Sequence, residues 1–187
     1  MTRKVRADAT DNRAHIVATA RQAIAAEGVD LSMREIARRA GLGIATLYRH
    51  FPTRTELISA ALAGDVAACR ADMEAALSEP DAWTALSAVI RQFAEQQIRA
   101  PGLNEALLGS HTAGDAFRND RQAHAAALEQ LVARARRQRV LRRGISVKDV
   151  RVGLMAISSL RTQADRRPDA IRTLLALLLT GLHSPDH

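Results

Sequence analysis

Residues 41–51 read GLGIATLYRHF, and within them Thr46, Tyr48, Arg49 and His50 bring four polar-tipped side chains into five consecutive positions. Hydroxyl and phenol groups donate and accept, an arginine presents a planar fork of donors, and a histidine changes charge near neutral pH. That set suits an anionic surface rich in hydrogen-bonding groups, such as a nucleic-acid backbone with its exposed base edges. It does not suit bond breaking. No nucleophile stands beside a base, no acid pair shares a cleft-like spacing, and no glycine-rich phosphate loop occurs in the chain. Catalytic residues and cofactors are therefore expected to be none. Tyr48 is the one tyrosine in the chain.

These groups need a helix to hold them. At about 100° per residue over 43–50, Leu47, Phe51 and Ile44 fall on one side, with Tyr48 at its edge, while Ala45, Thr46, Arg49 and His50 point away. Pro52 closes the helix, because the residue before proline avoids helical backbone. Upstream, Ser32 and Glu35 form an S-x-x-E capping box that starts a helix at Ser32. Met33, Ile36, Ala37 and Ala40 share its inner face, and Gly41 supplies a left-handed corner. Two short helices around a glycine turn make a helix-turn-helix, whose second helix meets base edges in the major groove. The same pattern also describes a solvated amphipathic helix in an ordinary bundle.

The remainder reads as further helix. Ile16, Val17, Ala20, Ala23 and Ile24 recur at helical spacing over 11–27, and Gly28 stops that run. Thr53 and Glu56 cap a long helix to about residue 77. Helices are expected over 81–99, 103–110, 115–139, 146–165 and from Pro168 onward, and no strand signal or repeat appears. The fold class is all-α: an N-terminal three-helix module followed by a larger C-terminal helical bundle. Residues 1–10 are expected to be a flexible basic arm, 11–55 the helix-turn-helix domain, and 56–187 an effector-binding and dimerisation domain.

The stretch SMREIARRAGLGIATLYRHFPTRTELISAAL resembles the DNA-binding module of TetR-family transcriptional regulators, above all in its T-L-Y-x-H-F core and the capped helix after it. The resemblance covers about residues 11–62. It implies a ligand-responsive repressor that binds a near-palindromic double-stranded operator as a homodimer, joined through its last two helices. By similarity, Ile44, Ala45, Thr46, Tyr48, Arg49 and His50 occupy the DNA-facing helix, with Thr46 and Tyr48 on phosphates and Arg49 reading a base. Thr53 and Arg54 match a phosphate-holding place, Ser32 and Arg34 could act likewise, and Arg3, Lys4 and Arg6 could reach an adjacent groove. Gly43 and Ile44 depart from the family, which often has a polar cap and a polar base reader at those places. They favour the alternative of a helical small-molecule-binding or interaction protein without DNA-binding function.

Bulk composition narrows the rest. The 187 residues are 47% hydrophobic and 25% charged, which fits folded protein rather than disorder. Net charge is +7, and every cation except Lys4 and Lys148 is arginine. A single cysteine, Cys69, cannot build a disulfide or a cysteine metal site within the chain, so a reducing cytoplasmic setting is expected. The chain opens without a signal-like apolar core, and its longest apolar run, Leu174–Leu179, is far short of the ~20 residues that span a bilayer. No histidines show ligand spacing outside His183 and His187, so no metal is expected. The basic run ARARRQRVLRR, residues 133–143, suits the C-terminal end of a helix, where cations complement the dipole. A small, partly apolar effector is expected against Phe93, Gln97, Leu107, His111, Phe117, Leu128 and Met155, chosen for inward phase. The run LLALLL covers most of its helix circumference and calls for burial on two sides, which a homodimer supplies.

Overall fold

The computed structural model describes the backbone of residues 2–99, 104, 117–160 and 167–184, and the side chains within those ranges from residue 11 onward. The described helices are α1 (Thr2–Glu27), α2 (Met33–Arg39), α3 (Ile44–His50), α4 (Arg54–Ser78), α5 (Ala82–Arg99), α6 (Arg118–Arg137), α7 (Val147–Ser159) and α8 (Arg167–Leu182). Among the described residues there is no strand, only an isolated antiparallel bridge between Leu141 and His183. The chain divides into two compact units. The first holds residues 2–65 with Asn104, Phe117 and Arg118, and the second holds 66–99, 119–160 and 167–184, so the division falls inside α4 at Asp65 rather than near residue 55. The expected arm is also revised: α1 begins at Thr2, because residues 3–10 contain neither glycine nor proline to stop a helix.

The core of the first unit follows the apolar spacing of the sequence. Ile16, Ala20, Ala23 and Ile24 of α1 are buried with Met33, Ile36 and Ala37 of α2. Leu47, Phe51, and Leu57, Ile58, Ala61 and Leu62 of α4 complete the set. Each fully buried Leu, Ile or Phe contributes roughly 1.5–3 kcal/mol before ordering entropy is subtracted. The guanidinium of Arg13 lies 4.6 Å from the centre of the Phe51 ring, a cation–π contact that fastens α1 to the end of α3.

Charged groups bind α2 to α1. Glu35 accepts from Arg38 Nε at 2.9 Å and Nη2 at 2.7 Å, and from Arg39 Nε at 2.7 Å. Arg39 Nη2 also donates to Glu27 at the end of α1, at 2.6 Å. The two arginines hold the Glu35 carboxyl down at about 2, against an ordinary 4.5. His15 of α1 completes the contact, with Nε2 3.1 Å from the Ala40 carbonyl. On the other side of α1, Arg21 forms a two-point pair with Asp65 of α4, at 2.9 and 2.6 Å.

Two helices end in the same way with different residues. At the end of α2, Gly41 N–H donates to the Arg38 carbonyl at 3.2 Å and Leu42 N–H to the Ala37 carbonyl at 3.0 Å. Gly41 sits at φ +66, the left-handed position of this Schellman closure. At the end of α6, Arg139 N–H donates to Arg136 at 3.1 Å and Val140 N–H to Ala135 at 3.1 Å. The left-handed residue there is Arg139, at φ 61, which carries a Cβ penalty that glycine avoids.

In the second unit α5 packs against α7 and α8, and α7 against α8. Leu86, Ile90, Leu131, Val150, Ile157 and Ile171 are at or near zero exposure in its core. A Cβ placed on Gly153 would come within 2.6 Å of the Leu178 side chain, so this glycine lets α7 and α8 close together. The apolar circumference of α8 is thereby sorted. Ile171, Leu175, Leu179 and Leu182 face the core, Leu174 and Leu178 pack partly against it, and Leu177 is 66% exposed. Two carbonyls at the end of α4, Leu77 and Ala76, accept from Arg134 at 2.9 and 3.0 Å. Part of the basic run is thus a helix cap made by a neighbouring helix rather than a solvated end.

Two outcomes test these local devices. A Cβ at Gly41 meets nothing within 4 Å, so Gly41→Ala should lower stability through backbone strain alone, by ~1 kcal/mol, while Arg139→Gly should raise it by a comparable amount; thermal unfolding reads both. Glu35 titrates lower in the folded chain than in the unfolded one, so its stabilising contribution is complete above about pH 4.5 and lost as pH falls toward about 2. Glu35→Gln should therefore flatten the acid limb of the stability profile over that window, with little change in slope near neutrality.

Candidate nucleic-acid interface

The candidate surface is built on α3, which is anchored at its far end. Leu47 is fully buried and Phe51 nearly so, and Phe51 N–H donates to the Leu47 carbonyl at 2.9 Å as the helix closes. With that side taken, Ala45, Tyr48 and Arg49 are exposed and Thr46 and His50 half-buried. Tyr48 is 48% exposed although its Cα lies near the packed side. Arg49 Nη2 donates to Thr46 Oγ1 at 2.9 Å, an exposed bond that an incoming acceptor can replace.

The start of α3 carries no side-chain cap. Gly43 is the N-cap residue, with φ −67 and ψ 142, and its carbonyl takes the N–H groups of Thr46 and Leu47 at 2.9 and 3.2 Å. Ile44 departs from the helical-wheel reading. Placed by phase with Leu47 and Phe51, it is instead 39% exposed. A helical side chain leans toward the N-terminus of its helix, and Ile44 is the first helical residue, so it leans over the open Gly43 end rather than the core.

The neighbouring helix starts hold the other expected residues. Ser32 is exposed and its Oγ accepts from Glu35 N–H at 3.2 Å, the predicted cap of α2. Arg34 is exposed in the first turn of that helix. Thr53 Oγ1 accepts from Glu56 N–H at 3.1 Å and donates to the Glu56 carboxylate at 3.1 Å, which caps α4. Arg54 is placed differently from expectation. Its Nε donates to the Leu31 carbonyl at 3.1 Å and its Nη2 to the Val29 carbonyl, so the half-buried guanidinium braces α4 against the α1–α2 loop. Sequence reading also passed over Arg13, His15 and Arg39, which hold α1 against the helix pair. The complementary charges at 27, 35 and 39 were the available signal.

The residues expected to line an effector wall are described one by one. Phe93 is partly buried and Leu128 buried in the second unit, and Gln97 is buried with Nε2 donating to the Ser158 carbonyl at 3.0 Å. Phe117 is buried in the first unit. Leu107 and His111 lie outside the described residues. Met155 is corrected: it is 57% exposed, because α7 buries Val150, Leu154 and Ile157, and Met155 lies one step round from that stripe. Among the described residues no cluster of His, Cys, Asp or Glu could hold a metal ion, and no helix is long and apolar enough to cross a membrane.

Comparison with known proteins agrees with this arrangement. The family described as "Bacterial regulatory proteins, tetR family" matches residues 16–61, and "Transcriptional regulator SbtR-like, C-terminal domain" matches residues 81–184. A TetR transcriptional regulator from Streptomyces coelicolor is 34% identical, covering 92% of this chain and 99% of that one, with a TM-score of 0.58. A TetR transcription regulatory protein from Mycobacterium vanbaalenii is 30% identical over 96% of this chain and 99% of that one, with a TM-score of 0.54. An HTH-type transcriptional regulator of Staphylococcus aureus (strain MRSA252) is 36% identical over 84 residues, and the matched stretch spans 43% of this chain and 44% of that relative. With both parts of the chain matched and the α2–α3 pair presenting an open polar face, the protein belongs to the TetR family of DNA-binding transcriptional regulators and is not an enzyme.

Proposed function

We propose that the protein is a ligand-responsive repressor that binds a near-palindromic operator as a homodimer, inside the cytoplasm. The carrying observation is α3: its inner side is buried at Leu47 and Phe51 while Arg49, Tyr48 and Ala45 stand exposed. Two such helices in a dimer would enter successive major grooves. Tyr48, Thr46, Ser32, Arg34 and Thr53 would hold phosphates, and Arg49, with its fork of donors, would read a guanine edge. Ile44 and Ala45 would offer apolar contact to a thymine methyl. Arg54 would act behind this surface, by fixing the loop and the start of α4.

The dimer contact we assign to α7 and α8. Val152, Met155 and Leu177 are exposed large apolar residues there, next to the Gly153–Leu178 crossing. The effector would be small and partly apolar and would lie in the second unit near Phe93, Gln97 and Leu128. It shifts the equilibrium only if it binds the form that cannot hold DNA more tightly.

Selection from a random duplex pool should enrich one near-palindromic motif, and failure to enrich any sequence would sink the reading. On the selected site, Arg49→Ala should relax preference at one symmetric position by ~1–3 kcal/mol; uniform weakening across all sequences would instead make Arg49 a phosphate contact. Leu177→Glu should halve the mass seen by light scattering while leaving helical content intact. Leu178, packed inside one chain against Gly153, is the wrong place for that test.

A further inference from the structure

The second unit has an open groove of about 410 Å³ that the proposed regulator does not use. Trp83, Arg91, Arg142, Thr180, His183 and Ser184 line it. Its walls are fixed by hydrogen bonds from several elements. The Gln138 side chain accepts from Ala82 N–H at 3.1 Å and donates to the Pro80 carbonyl at 3.2 Å, which holds the start of α5 and so Trp83. Arg142 N–H donates to the Leu182 carbonyl at 2.9 Å, and Ser184 N–H to the Val140 carbonyl at 2.9 Å, which clamps the end of α8 to the loop after α6. The Trp83 and His183 rings lie 4.3 Å apart and tilted by 49°.

Three features of this groove suit an anionic ligand. Arg91 and Arg142 come from different elements, yet among the described residues neither guanidinium has an ion pair or a side-chain hydrogen bond. Two exposed cations lining one groove make it attractive to an anion. Ser184 is only 8% exposed, and its hydroxyl has no hydrogen-bond partner among the described residues. That hydroxyl lines the groove and is free to donate to an oxyanion. The indole of Trp83 adds an apolar wall, so the groove combines an anion-binding side with a flat surface for a carbon skeleton.

We propose that this groove binds a small organic oxyanion, a carboxylate or phosphate monoester on a flat apolar body. The oxyanion lies between Arg91 and Arg142 within reach of Ser184 and Thr180, and the body lies against Trp83. The site shares no lining residue with the region of Phe93, Gln97 and Leu128, and it stands independently of the DNA-binding reading.

Trp83 is the one tryptophan in the chain, so its emission reports on this groove alone. The full chain is titrated with benzoate, with phenyl phosphate, and with neutral benzyl alcohol. A saturable emission change is expected with at least one of the two anions, and their relative affinities distinguish a carboxylate from a phosphate ligand. The double variant Arg91→Gln/Arg142→Gln should bind at least about tenfold more weakly, with unchanged helical signal and melting temperature, since both side chains are exposed. Ser184→Ala should weaken the anion without altering any response to benzyl alcohol. The proposal is overturned if neither anion saturates, if benzyl alcohol binds as tightly, or if the double variant binds like the parent chain.

Discussion

A helix of seven residues does not hold together in water, because nucleation costs more than so few hydrogen bonds return. α3 is seven residues long and has no side-chain cap at its start. It exists because Leu47 and Phe51 are buried against a platform that α1, α2 and α4 complete. That anchorage also sets its orientation: with one side fastened, the other must face outward. The exposed Arg49, Tyr48 and Ala45 are a consequence of where the two large apolar residues sit.

The platform is held by tertiary contacts that lie away from the exposed face. The glycine corner at Gly41 turns the chain so that α3 can reach α1, and the Ala37 carbonyl is tied into that turn. Arg39 links Glu35 to Glu27, Arg21 links α1 to α4, and Arg54 braces the α1–α2 loop. Exposed ion pairs of this kind are individually weak. Together with the buried apolar set they fix the position of a short helix that would otherwise fray.

The chain's many arginines illustrate how little a net charge says by itself. Arg13 lies on an aromatic ring, Arg38 and Arg39 are paired with Glu35, and Arg134 caps the end of α4. Arg54 is turned to loop carbonyls. Arg49 keeps only a weak exposed bond to Thr46, and Arg91 and Arg142 meet in a groove. Identical side chains thus serve as strut, cap and available donor, and only their neighbours distinguish these uses.

Local signals were legible in the sequence because they act within a few residues. Ser32 and Thr53 cap their helices, although at Ser32 the Glu35 carboxylate turns to Arg38 and Arg39 instead of closing the expected box, and the left-handed Gly41 and the apolar spacing of α1, α2 and α4 are present as read. So is the all-helical class, and the TetR resemblance rested on a stretch that is itself local. What periodicity could not supply was the far side of each contact. Ile44 has the phase of a buried residue but no packing surface above it, Met155 lies one step off the buried stripe, and Leu178 is occupied by the absence of a side chain at Gly153. Arg54 looked outward until the Val29 and Leu31 carbonyls were in place, and the Arg91–Arg142 groove joins residues more than fifty positions apart. The sequence by itself determined the all-helical class, the helix starts capped by Ser32 and Thr53, and the family, because backbone hydrogen bonding and apolar phase are short-range. Only the tertiary structure decided which side chains remained exposed, because exposure depends on what the rest of the chain brings against each helix.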